Sequence, residues 1–154
     1  MRILVIGLGS PLLTDDSVGL QVARRLSPLL AGRPGIDVVE DYRGGLQLME
    51  RMTGYDRAII VDAIVTGGEP GTLHLLGPGD IPTQKSASAH DVNLPTALEL
   101  GRQLGVRLPA DADILLVGVE AEDILTFSER CTPKVEAAIP RAVEAVLAAL
   151  SEGA

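Results

Sequence analysis

Apolar positions along the chain alternate between two rhythms. Residues 2–8, Arg-Ile-Leu-Val-Ile-Gly-Leu, form a strand-length apolar run. Val18, Val22, Leu26 and Leu29 or Leu30 then recur at helical spacing up to Ala31. A short second strand is predicted over residues 36–40 and a short helix over 46–52. Residues 56–62 make a third strand that ends in the carboxylate of Asp62. Residues 71–76 alternate like a half-exposed edge strand, with His74 on the polar face and read as a surface residue. Leu94, Ala97, Leu98, Gly101 and Leu104 share one helix face, with Pro95 tolerated in the first turn. Residues 113–119 form another buried strand. The last helix carries a stripe from Val135 through Ala138, Ile139, Ala142, Val143, Val146 and Leu147 to Leu150. Pro140 falls inside that stripe and is predicted to kink or restart the helix.

Strands alternating with helices imply right-handed βαβ crossovers. The expected fold is therefore α/β: a three-layer sandwich with a mostly parallel, twisted five-stranded sheet and helices on both faces. The composition agrees: the chain is 46% hydrophobic but has one Phe, two Tyr and no Trp, so Val, Ile, Leu and Ala must build the core. At 154 residues, with no repeat or linker, residues 1–154 are expected to form a single domain.

A net charge of −8 argues against nucleic-acid or anionic-membrane partners, because the long-range field repels both. Cys131 is the sole cysteine, so no internal disulfide and no cysteine metal cluster is possible, and it reads as a small hydrophobe near a helix start. The N-terminal apolar run is too short for a signal peptide and no run approaches 18 apolar residues, so a cytoplasmic, soluble monomer is expected.

Sites on such sheets form outside the carboxyl ends of the strands. That rule selects the loops after Leu8, Glu40 and Val61. The first contains GLGSPLLTDDSVG, residues 7–19. It opens like a dinucleotide loop, but Leu12 stands where the fingerprint needs glycine, and Asp15 and Asp16 would repel phosphate. No phosphate loop or G-x-S-x-G elbow occurs elsewhere, and Asp16-Ser17-Val18 and Asp62-Ala63-Ile64 do not match the D-[ST]-G of aspartic-protease dyads.

Metal coordination fits better. Asp16 opens the first helix, Asp62 closes the third strand, and a parallel sheet sets these elements side by side. His90, in the polar loop of residues 86–93, supplies a third donor. An O,O,N set suits nickel, zinc or manganese without choosing among them, and three ligands leave coordination positions open. Two adjacent acids exceed what one helix cap needs, so Asp15 is expected to be the structural member and Asp16 to face the cleft.

These residues also resemble a known family. Gly7-x-Gly9-x-x-Leu12-x-x-Asp15-Asp16-x-x-Gly19 is similar to the G-x-G-N-x-L-x-x-D-[DE]-x-x-G signature of the nickel-iron hydrogenase maturation endopeptidases. Later blocks follow in order: Ile59 to Ile64, Pro70-Gly71-Thr72, Ser88-Ala89-His90, Gly118-Val119-Glu120, and Thr132-Pro133-x-Val135-x-x-Ala138. The resemblance implies a phosphorylase/hydrolase-like fold and a protease that removes the C-terminal extension of a hydrogenase large-subunit precursor after nickel insertion. It also implies that Asp16, Asp62 and His90 contact nickel carried by that substrate, with no tightly bound resident cofactor. Either the metal activates water or the scissile carbonyl, or one carboxylate acts as general base. A non-cleaving, nickel-checking chaperone of the same fold is the alternative. The chain departs from the pattern at Ser10 for Asn, at Ser17 where Gly is frequent, and at residues 40–45, Glu-Asp-Tyr-Arg-Gly-Gly, for D-G-G-T-x-G. There Glu40 or Asp41 stands in for the aspartate, and Arg43 adds a cation that pairs with Asp41 or with the substrate.

Overall fold

The three central apolar runs become strands buried on both faces and the flanking ones half-buried edges, and the computed structural model describes them within residues 1–42, 45–80 and 94–152. Five strands, β1 (Ile3–Leu8), β2 (Ile36–Asp41), β3 (Arg57–Ile64), β4 (Leu73–Leu76) and β5 (Ile114–Glu120), form one sheet in the order β2-β1-β3-β5-β4. All neighbours are parallel except β4, which runs antiparallel along the edge beside β5. The α/β class, the mostly parallel sheet and the edge position of β4 are as read from the sequence.

Helices cover both faces. On one, Val5, Ile59, Val61, Val117 and Val119 pack against α1 (Val18–Leu30) and α4 (Pro133–Glu152). On the other, Leu4, Ile6, Ile60 and Leu116 meet residues of α2 (Leu46–Arg51) and α3 (Leu94–Gln103), with Met52 just beyond α2. Each such side chain contributes roughly 1.5–3 kcal/mol on leaving water. No helix among the described residues is long and apolar enough to cross a membrane.

Three details differ from the sequence reading, and one alternative left open there is resolved. β3 runs two residues past Asp62, because β5 continues to pair with it as far as Ile64 opposite Glu120. Leu104 is 71% exposed, since α3 ends at Gln103 and the chain turns back through Gly105, whose φ is +79°. Leu30, not Leu29, carries the α1 stripe into the core. Finally, α4 runs unbroken through Pro140, which lies on the exposed side, where water can satisfy the carbonyl that its missing N–H leaves open.

Candidate active site

Three glycines set the site's geometry. A Cβ at Gly7 would lie 2.1 Å from the Gly19 carbonyl oxygen, and one at Gly19 would lie 2.3 Å from that of Val61 and 2.4 Å from that of Leu8. The first turn of α1 therefore lies directly on β1 and β3, closer than any side chain permits. Gly9, at φ +151°, lets the chain leave β1 so tightly that its own Cβ would fall 1.9 Å from the Asp16 carbonyl oxygen. The Ser10 N–H donates to that oxygen at 3.1 Å, and the Gly9 N–H donates to the Asp41 carbonyl at 3.2 Å. The glycines that suggest a nucleotide loop are thus a packing device, which places a short 3-10 turn, Thr14–Ser17, at the carboxyl edge of the sheet.

Within that turn the two acids have separate surroundings. Asp15 is fully buried. Its Oδ2 accepts the N–H groups of Glu122 and Asp123 at 2.8 and 2.9 Å, and its Oδ1 accepts the Thr132 N–H at 2.7 Å, with the Thr132 hydroxyl beside both oxygens. Asp15 is the structural member, as expected, but by tying down the segment between β5 and α4. α1 itself has no side-chain N-cap bond. Thr14 sits at φ +49°, a conformation costly for a β-branched residue, and is held there by bonds from its N–H to the Ser128 carbonyl and from its hydroxyl to that of Thr126.

Asp16 is 3% exposed and Asp62 7%. Pairing of β3 with β1 ends at Gly7 opposite Val61, whereas pairing with β5 continues, so Asp62 lies just past the last β1–β3 pair. The turn carrying Asp16 packs against β3. One Asp62 oxygen accepts the N–H of Ala63 at 2.8 Å. Two nearly buried carboxylates on one sheet edge offer hard oxygen donors to a divalent cation. His90 lies outside the described residues, and among the described residues no three His, Cys, Asp or Glu side chains gather as a metal-binding set.

At the neighbouring β2 end the two acids have different surroundings. Asp41 is buried beside Leu8, while Glu40 turns outward to Arg24 at 3.0 Å. Arg43 lies outside the described residues; Arg51 approaches Asp41, its Nε donating at 3.0 Å.

The sequence reading misses one buried cluster. Glu120, 1% exposed, accepts the Thr66 N–H at 2.8 Å and the Thr66 hydroxyl, and its Oε1 lies 3.1 Å from His74 Nε2. Burial pushes the Glu120 carboxyl up, but the hydrogen bonds from Thr66 and the contact with His74 outweigh it and hold the group below its ordinary value. His74 is therefore no plain surface residue: it faces a buried carboxylate across the β4–β5 pair. A glutamate closing an apolar strand is the signal for Glu120, whereas its partner depends on antiparallel pairing that spacing does not reveal. Cys131 behaves as read: burial pushes its thiol up to about 11, leaving about one part in ten thousand as thiolate at pH 7.

Fold and edge geometry define an α/β scaffold, a mostly parallel five-stranded sheet with buried acids at the carboxyl ends of its strands. Comparison with known proteins narrows this. A family model described as hydrogenase maturation protease matches residues 20–149. The chain is 35% identical to the hydrogenase 2 maturation protease of Escherichia coli strain K12, over 99% of this chain and 92% of that protein. Among solved structures, the hydrogenase maturating endopeptidase HybD from Escherichia coli superposes with a TM-score of 0.81 at 34% identity, covering 99% of this chain and 94% of that one. The hydrogenase 2 maturation peptidase from Thaumarchaeota archaeon SCGC_AB-539-E09 gives 0.70 at 29%, covering 98% and 99%. The chain belongs to the hydrogenase maturation protease family, and is thus an endopeptidase and a hydrolase. The stretch matched by the family model begins just after Gly19 and so leaves out Asp15 and Asp16, whereas the match to the Escherichia coli relative spans 99% of the chain.

Proposed function

We propose that this endopeptidase removes the C-terminal extension from the nickel-loaded precursor of a nickel-iron hydrogenase large subunit in the cytoplasm, and reads the nickel already held by that substrate. Asp16, Asp62 and His90 are the residues assigned to the metal. The observation that carries this reading is the convergence of Asp16 and Asp62, from separate elements, on one sheet edge while the adjacent Asp15 is consumed by structure. A substrate-borne cation seated between these carboxylates fixes the neighbouring peptide bond, so specificity comes from coordination more than from a side-chain pocket. One edge carboxylate then either takes a proton from the attacking water or holds the cation that polarises it.

The test is the mass of the large subunit after incubation with the purified protein. Loss of a C-terminal peptide from nickel-loaded precursor alone is expected. A stable complex without any change in mass would instead indicate a chaperone that binds and does not cut.

A further inference from the structure

The chain's only phenylalanine, Phe127, is 81% exposed, and Leu125 beside it is 82% exposed. Leaving such side chains in water forgoes roughly 1.5–3 kcal/mol each. They sit on a segment without regular structure that is nonetheless closely pinned. Asp15 holds its start and end through Glu122, Asp123 and Thr132. Asp123 Oδ1 accepts the N–H groups of Leu125 and Thr126 at 2.9 and 3.0 Å. Thr14 binds the carbonyls of Thr126 and Ser128, on either side of Phe127, and the Ser128 N–H donates to the Leu12 carbonyl at 2.9 Å. Leu12, 52% exposed, completes an apolar rim on the opposing segment. A rim fixed in place before binding avoids the ordering cost that a mobile loop would carry.

Two observations say what it meets. The pins attach the rim to Thr14, two residues from Asp16, which places it within reach of a polypeptide substrate engaged at the candidate site. The rim's charge is acidic: residues 122–130 hold Glu122, Asp123 and Glu129 against Arg130, on a chain with 21 acids and 13 bases. Past Leu12 the surface continues into an open groove of about 570 Å³ lined by Pro11, Ser17, Gln21 and Glu129. Arg24 and Arg25 line it too, and pair with Glu40 at 3.0 Å and Glu136 at 3.8 Å.

We propose that Leu12, Leu125 and Phe127 form the docking surface for an apolar segment of the large-subunit precursor flanked by basic residues; this rests on the function proposed above. The experiment is steady-state cleavage of nickel-loaded precursor by the intact protein. Leu125→Ser/Phe127→Ser, at positions too exposed to matter for folding, is expected to raise KM at least about tenfold with kcat within about twofold, as loss of two interface anchors does. Glu122→Lys/Glu129→Lys is expected to raise KM at low salt, with the difference shrinking as salt is added. An unchanged or lowered KM in either double variant overturns the proposal while leaving the protease reading intact. So does a wild-type dimer that Leu125→Ser/Phe127→Ser dissociates without moving KM, which would assign the rim to a second copy of the chain. Failure of the wild type to cleave overturns the functional reading and this inference with it.

Discussion

Asp15 and Asp16 adjoin in sequence, yet one is committed to hydrogen bonds from a segment over a hundred residues away and the other to a sheet edge. That division makes separable expectations. Asp15→Ala removes a fully buried carboxylate on which several hydrogen-bond donors converge and is expected to cost about 3–5 kcal/mol, a fall in Tm of roughly 10 °C. Asp16→Asn is expected to leave Tm within about 3 °C and lower cleavage at least about 100-fold. Thermal melts beside a cleavage assay check both; a stable Asp15→Ala protein would remove its structural role. The pairing of two acids makes this division legible in the sequence. The partners of Asp15 are not, because Glu122, Asp123 and Thr132 join it only through the fold.

Between β1 and α1 the glycines act through close approach. Gly19 lies against two carbonyl oxygens at distances no Cβ can share, so Gly19→Ala must push α1 off β1 and β3. The expected loss is about 3 kcal/mol or more, readable as a lower urea midpoint. The same displacement moves Asp16 away from β3, so residual cleavage is expected to fall further than stability alone explains. Elements with sustained periodicity, β1, α1, β5 and α4, are legible at their full extent to within a residue or two. Ends are less so: Asp62 reads as a strand terminus, but β5 keeps pairing with β3 for two residues more. A partner strand's length is not contained in the strand's own sequence.

For the molecule as a whole, acid stability reports the buried cluster at the sheet's antiparallel edge. Glu120 is held below its ordinary value of 4.5, so it contributes stability that is complete above that pH and is lost as pH falls through its lower folded value. Glu120→Gln is expected to be less stable than wild type at neutral pH, and its urea midpoint is expected to fall less steeply below about pH 4.5. Parallel curves for the two proteins would contradict the assignment. The α/β class and the placing of Asp62 at a carboxyl edge are legible because alternating strand and helix periods dictate a parallel sheet, and the candidate site is sought at that edge because parallel sheets bind there. The His74–Glu120 pair is not legible, since the strand that brings it together is antiparallel and short.

Cleavage dependent on nickel in the substrate is the central claim. Its most direct test is the intact mass of the large subunit after incubation with metal-stripped enzyme, using nickel-loaded and nickel-free precursor side by side. Loss of the C-terminal peptide from the loaded precursor alone is the expected result; equal cleavage of both, or cleavage only after metal is restored to the enzyme, would contradict it.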